Sequence, residues 1–171
     1  MSIRNSLIAL TAATALVGVS PAALAADQPM VVNIKRLSLD VALKIAKTAI
    51  DTCRKEGVQV AVTVVDRGGH PQVVLRDVLA MDITVPISRM KAHTALAFNS
   101  PTSALGSRFQ GSYSVPKLDS LLISAGGVPV QVGGSLVAGV GVSGAPSGET
   151  DEKCAQAGVD AVAADLEMSG M

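Results

Sequence analysis

Between Ser38 and Gly57 the apolar residues return every three to four positions. Ala42, Ile45, Ala46, Ala49, Ile50 and Cys53 fall on one side, and Lys44, Lys47, Asp51, Arg54 and Lys55 lie mostly on the other. That stripe predicts an amphipathic helix with one face on a core. Ser38 offers an N-cap and Gly57 a stop, and Arg54 and Lys55 suit the negative end of the helix dipole. The pattern then changes. From Val58 to Asp66 nearly every residue is apolar or small and many are β-branched, which predicts a strand covered on both faces or central in its sheet. Gly68-Gly69 turns the chain, and Gln72 to Arg76 returns as the second strand of a hairpin.

After a loop over 77–83, Pro86 is well placed in the first turn of a second helix that reaches about Phe98. Pro101 either ends that helix or opens a short third one through Phe109. Residues 111–120 carry Ser, Tyr and Pro and read as a surface loop. Val128 to Val132 and Ser135 to Val142 form a second hairpin around Gly133-Gly134. Ser147 or Thr150 caps a last helix through about Glu167, whose positive N-terminal end suits Glu149, Asp151 and Glu152. Two hairpins cannot build an all-parallel sheet. The expected class is therefore α+β: a mixed, mainly antiparallel sheet with helices packed on its faces, in a single domain.

The first residues follow another pattern. Arg4 is followed by an apolar run, Leu7 to Val19, then Ser20-Pro21 and the small-residue motif Ala23-Leu24-Ala25. A short positive start, an apolar run of this length and an A-x-A site describe a secretory signal peptide over 1–25, cleaved after Ala25. The run is short for a bilayer, which needs roughly 20 apolar residues. The expectation is a periplasmic or secreted protein, with an extended segment over 26–37 and the domain over 38–171.

Composition narrows the chemistry. The chain holds 14 basic and 14 acidic residues, and losing Arg4 with the leader leaves a formal charge of −1. Such a balance lacks the clustered Lys and Arg that bind nucleic acid. Cys53 and Cys154 would meet oxidising conditions after export, so a disulfide is allowed. Two buried thiols acting as small apolar residues are the alternative.

Gly139-Val140-Gly141-Val142-Ser143-Gly144 fits G-x-G-x-x-G, but a dinucleotide site needs a strand, a tight turn and a helix that receives pyrophosphate. Here Pro146 and Gly148 delay the helix, carboxylates fill its first turn, and the preceding strand belongs to a hairpin. The glycines then let backbone pack closely or bend the strand. No G-x-S-x-G elbow occurs, and His70, His93 and the cysteines lack the paired spacing of a structural zinc site. No catalytic residue is assigned. Asp66, before Arg67-Gly68-Gly69, reads as a turn residue bonding its own backbone.

Three blocks carry a resemblance. Val62 to Arg76 spells VTVVDRGGHPQVVLR, Arg89 to Phe98 spells RMKAHTALAF, and Val137 to Asp160 spells VAGVGVSGAPSGETDEKCAQAGVD. In order and spacing they resemble the GlcG/HbpS-like family of haem-binding domains, with its "VVD-GG" hairpin, "KA-TA" helix and "GVSG…DE-CA-AG" terminus. The likeness covers roughly residues 38–166. It implies a profilin-like α+β architecture, a homo-oligomer and binding of haem or a related tetrapyrrole for scavenging, protection or sensing. The Cys of "DE-CA-AG" belongs to the pattern irrespective of any partner, which favours thiols over a disulfide.

Haem asks for an apolar slot, an axial ligand and cations for two propionates. His70 and His93 are the candidate iron ligands. Met90 and Phe98, with Met81, can line a slot. Arg76, Arg89 and Lys91 can meet propionates, and Thr94 belongs to the "KA-TA" motif. The family is also described as haem-degrading, but the chain shows no flavin or electron-entry motif, so binding is the expectation. Two other readings stand beside this one. One is an oligomeric accessory protein for a membrane sensor. The other is a binder or enzyme for a small organic acid, held by Arg76 and Lys91.

Overall fold

A computed structural model describes residues 29–110 and 115–170. The expected signal peptide and its cleavage site lie outside the described residues, as does Tyr113. The chain divides into Met1–Val32 and Asn33–Met171, and every element below belongs to the second unit.

Helix α1 spans Leu39–Lys55, strands β1 and β2 span Ala61–Asp66 and Pro71–Arg76, and helix α2 spans Thr84–Phe98. The short α3, Leu105–Arg108, is followed by β3 (Gly127–Val132), β4 (Ser135–Ser143) and α4 (Gly148–Gly170). The sheet order is β2-β1-β4-β3. Its pairings are all antiparallel, so the expected mainly antiparallel sheet of two hairpins is present, joined through β1 and β4. All six residues of the central β1 are buried.

Alternation along the strands divides the core. Val62 and Val64 of β1 and Val140 and Val142 of β4 pack with Ile45, Ala49 and Cys53 of α1 and with Cys154, Ala155 and Val162 of α4. On the other face Val65 packs with Ala92 and Leu96 of α2. Thr63 is hydrogen-bonded there to Ser88, Oγ1 to Oγ, at 2.8 Å. The glycines of the G-x-G-x-x-G stretch explain how close α2 comes. A Cβ on Gly141 would fall on the Ser88 carbonyl, and one on Gly139 on the Ala92 carbonyl. They serve backbone approach, as the sequence led us to expect.

Cys53 and Cys154, 101 positions apart in sequence, are joined in a disulfide with Cα atoms 5.6 Å apart. This overturns the expectation of buried thiols. The periodicity of each helix puts its cysteine on the inner face, and α1 packs beside α4, so the two sulfurs meet. Gly158 lets the helices approach, since a Cβ there would lie 2.6 Å from the Ile45 carbonyl.

Boundaries shift for local reasons. The strand expected from Val58 begins at Ala61, because the Val58 N–H is committed to the Cys53 carbonyl at 3.1 Å in the closing turn of α1. Helix α2 ends at Phe98, as its pattern predicts, with Asn99 closing it in the left-handed conformation at φ 47. Of the two roles open to Pro101, it takes the second, preceding a 3-10 turn, Thr102–Ala104, and the short α3. Ser147, rather than Thr150, caps α4, accepting from the Thr150 N–H at 3.2 Å.

Candidate functional site

The turn between β1 and β2 is built by Asp66. One carboxylate oxygen accepts the N–H groups of Gly68 at 2.8 Å and His70 at 3.0 Å, the Asx-type turn that its position predicts. Burial acts to raise the Asp66 pKa. The His70 and Gly68 amides, with Arg36 3.2 Å away, act in the other direction and hold it below the ordinary carboxylate value. The turn therefore stays charged and closed. Gly69 then adopts φ +82, and a Cβ on it would lie 2.8 Å from Cδ2 of His93. The bare backbone of the turn thus rests against the imidazole of α2.

Between this turn, α2 and the segment at Asp119-Ser120 opens a cleft of about 780 Å³. Such a volume suits small-molecule sites, which run to about 300–1,000 Å³. Pro71, Val74, Val85, Pro86 and Met90 give it apolar walls, while His70, Arg89, His93 and Asp119 bring polar groups. From α2 the contributors Val85, Pro86, Arg89, Met90 and His93 recur three to four residues apart, on one helical face.

The His93 ring is oriented by a backbone carbonyl. Its Nδ1 lies 3.2 Å from the backbone carbonyl of Ser120. A carbonyl only accepts, so Nδ1 carries the proton, and the lone pair of the neutral ring is on Nε2. That nitrogen can ligate a metal. His70 is at the rim, its side chain 81% exposed, with Nδ1 3.5 Å from the Asp66 carboxylate.

The structure thus brings His70, Met90 and His93 together, with Arg89. It places the other sequence-predicted residues elsewhere. Lys91 is only 4% exposed, and its Nζ donates to Asp151 at 2.8 Å and to the Val142 carbonyl at 3.1 Å. Burial pushes the Asp151 pKa up against the opposing pull of the Lys91 ammonium. Thr94 is fully buried, donating to the Met90 carbonyl and accepting from the Leu122 N–H. Phe98 meets Phe109 edge-on with ring centroids 5.0 Å apart. The Arg76 guanidinium donates to the Ala80 carbonyl, and Met81 is exposed. None of these five lines the cleft. Positions 91, 94 and 98 turn away from the face that carries 86, 89, 90 and 93. Sequence reading missed Asp119 and Ser120, which enter from a loop with no motif of its own. The α2 stripe was present in the sequence as a signal.

The chain matches a family model described as "Haem degrading protein HbpS-like" over residues 37–160. Among solved structures, it is 38% identical to a crystal structure of HbpS, covering 81% of this chain and 99% of that one with a TM-score of 0.76. It is 27% identical to the Klebsiella pneumoniae protein ORFY, over 78% of this chain and 94% of that one, with a TM-score of 0.72. A haem complex of PduOC is 26% identical, over 74% and 95%, with a TM-score of 0.69. No curated protein matches.

Proposed function

The chain belongs to the HbpS-like family, and from that premise we propose that it binds haem, or a related tetrapyrrole, in the cleft between the first hairpin and α2. The observation that carries this reading is the His93 imidazole, whose Nδ1 lies against the Ser120 carbonyl, an arrangement that in the neutral ring leaves the lone pair on Nε2. A metal-ligating histidine is ordinarily oriented in this way through its other nitrogen. The rest of the lining fits the group: apolar walls from Val74, Val85 and Met90 for the macrocycle, and the Arg89 guanidinium for a propionate. When bound, haem supplies a redox-active iron. This chain's own residues bind it, orient it and set what reaches it. PduOC, a protein of this fold, is crystallised with haem, which supports the assignment. Reversible binding is the role proposed.

Haemin titrated into the chain starting at Ala26 tests this. We expect a saturable, stoichiometric Soret shift that His93→Ala abolishes and His70→Ala weakens. A weak, unsaturable change equal in all three proteins would sink the reading, because haemin adheres to apolar surfaces without a site.

We also propose that the chain is exported, with cleavage after Ala25. The Cys53–Cys154 disulfide supports this, since such bonds persist in oxidising compartments. Mass spectrometry of the cell-envelope and medium fractions should find Ala26 as the first residue. Retention of 1–25 on a cytoplasmic pool would refute it.

A second reading, of an oligomeric accessory protein, has one observation in its favour. Val78, Leu79, Met81 and Ile83 all expose more than half of their surface on the loop between β2 and α2. Light scattering at micromolar concentration would show a monomer if that reading is wrong. The small-acid reading loses its expected cations, because Arg76 and Lys91 are engaged within the protein.

A further inference from the structure

We infer that Thr94 is a positioning residue for His93, which it controls through the backbone of the loop that follows α3. Thr94 stands next to His93 in sequence but points elsewhere. Its side chain is fully buried, and its hydroxyl is used twice. Oγ1 donates its one proton to the Met90 carbonyl at 2.7 Å, which aims its lone pairs away from the helix. One of them accepts the Leu122 N–H at 2.8 Å. That bond ties the incoming chain to α2 only two residues after Ser120. Ser120 in turn presents its carbonyl to Nδ1 of His93 at 3.2 Å. The buried Leu121 lies between these two anchor points.

The arrangement is a closed circuit. The helix holds the loop through Thr94, and the loop holds the histidine through Ser120. Its consequence is chemical. A neutral histidine in water favours the form protonated at Nε2, in which that nitrogen has no lone pair for a metal. The Ser120 carbonyl reverses the preference, because it can accept only from a protonated Nδ1. Without the Thr94 hydroxyl the Leu122 amide loses its acceptor, the loop loses its register on α2, and the carbonyl leaves the imidazole.

The inference rests on the haem reading only for its use; the tautomer can be measured without haem. In the protein labelled with 15N at histidine, long-range proton–nitrogen spectra at a pH where the ring is neutral distinguish the two forms. We expect Nδ1–H for His93 in the parent and in Thr94→Ser, and a shift towards Nε2–H in Thr94→Val. His70, whose side chain is 81% exposed at the rim, serves as the internal control and should not change. The Leu122 amide should exchange slowly with solvent in the parent and Thr94→Ser. An Nε2–H parent, a fast-exchanging Leu122 amide in the parent, or an unchanged tautomer in Thr94→Val would each overturn the proposal. The first two need no variant, so they decide the matter even if Thr94→Val does not fold. Haemin affinity is then read on the same samples, and loss of an orienting partner of a ligand predicts roughly 10–100-fold weaker binding in Thr94→Val. A switched tautomer with unchanged haemin affinity would leave the Thr94 lock standing and refute His93 as the iron ligand.

Discussion

Lys91 shows how far a residue's surroundings can depart from its motif. Its ammonium is buried against Asp151, 60 positions away, and both side chains are 4% exposed. Asp151 also accepts the Ala145 N–H at 2.9 Å, so the pair fastens α2 to the start of α4. Removing one partner leaves an uncompensated charge in the interior, which costs about 3–5 kcal/mol. Lys91→Met is therefore expected to lower the urea midpoint sharply, and adding Asp151→Leu to recover part of the loss. An unaffected midpoint in the single variant would show the pair to be solvated. A second ion pair predicts a pH dependence. Arg54 bonds the Asp77 carboxylate through Nε at 2.7 Å and Nη2 at 2.9 Å, and this holds the Asp77 pKa below its ordinary 3.8, against the opposing effect of burial. A carboxyl with a lowered folded pKa adds stability above 3.8 and loses it as pH falls through the folded value. Asp77→Asn should thus be less stable than the parent at neutral pH, with the gap shrinking below pH 3.8. A gap that stays constant on acidification would count against the ion pair.

At the scale of elements, the glycines set distances between helices and sheet. Gly158 is a poor helix residue by about 1 kcal/mol relative to Ala, yet its missing Cβ lets the Ile45 carbonyl of α1 come within reach. Gly158→Ala should lower the melting temperature despite the better propensity, because the added methyl meets backbone and not a movable side chain. A raised melting temperature would mean that α1 and α4 can separate at little cost. The elements themselves were largely legible. Ser38 caps α1, accepting from the Val41 N–H at 3.4 Å, and β1, nearly all of whose residues are apolar or small, is central, as its pattern requires. What pattern alone did not reveal was competition for backbone groups. The Val58 amide could enter a strand or close a helix, and closing α1 wins. Asn99 ends α2 because Asn tolerates the left-handed conformation with little penalty.

Across the described molecule, the disulfide joins α1 to α4 over a sequence separation of 101. Cross-links over loops of this size restrict the unfolded chain and stabilise by about 2–5 kcal/mol. Denaturation with and without reductant should show that difference, and a Cys53→Ser, Cys154→Ser protein should match the reduced form and ignore the reductant. Equal stability in all cases would mean that the α1–α4 interface alone suffices. The cleft also belongs to this scale. Its walls come from the β1–β2 hairpin, from α2 and from Asp119-Ser120, segments that share no sequence motif and meet only because α2 crosses the sheet beside the turn.

The periodicities, the glycine turns and the three recurring blocks determined the α+β class, the order of elements and the family, because each depends on neighbours within a few residues or on motif order. They also singled out His70, Met90 and His93. Only the tertiary structure decided which candidates share a site. Lys91, Thr94 and Phe98 are within a few residues of His93, yet a rotation of about 100° per residue along a helix sends their side chains into different surroundings. Whether two distant cysteines pair, which carbonyl fixes an imidazole and which ammonium is buried beside a carboxylate are likewise relations between segments. They depend on how the helices cross the sheet, and that crossing is set by the packing of α2 on Gly139 and Gly141 and of α4 on α1.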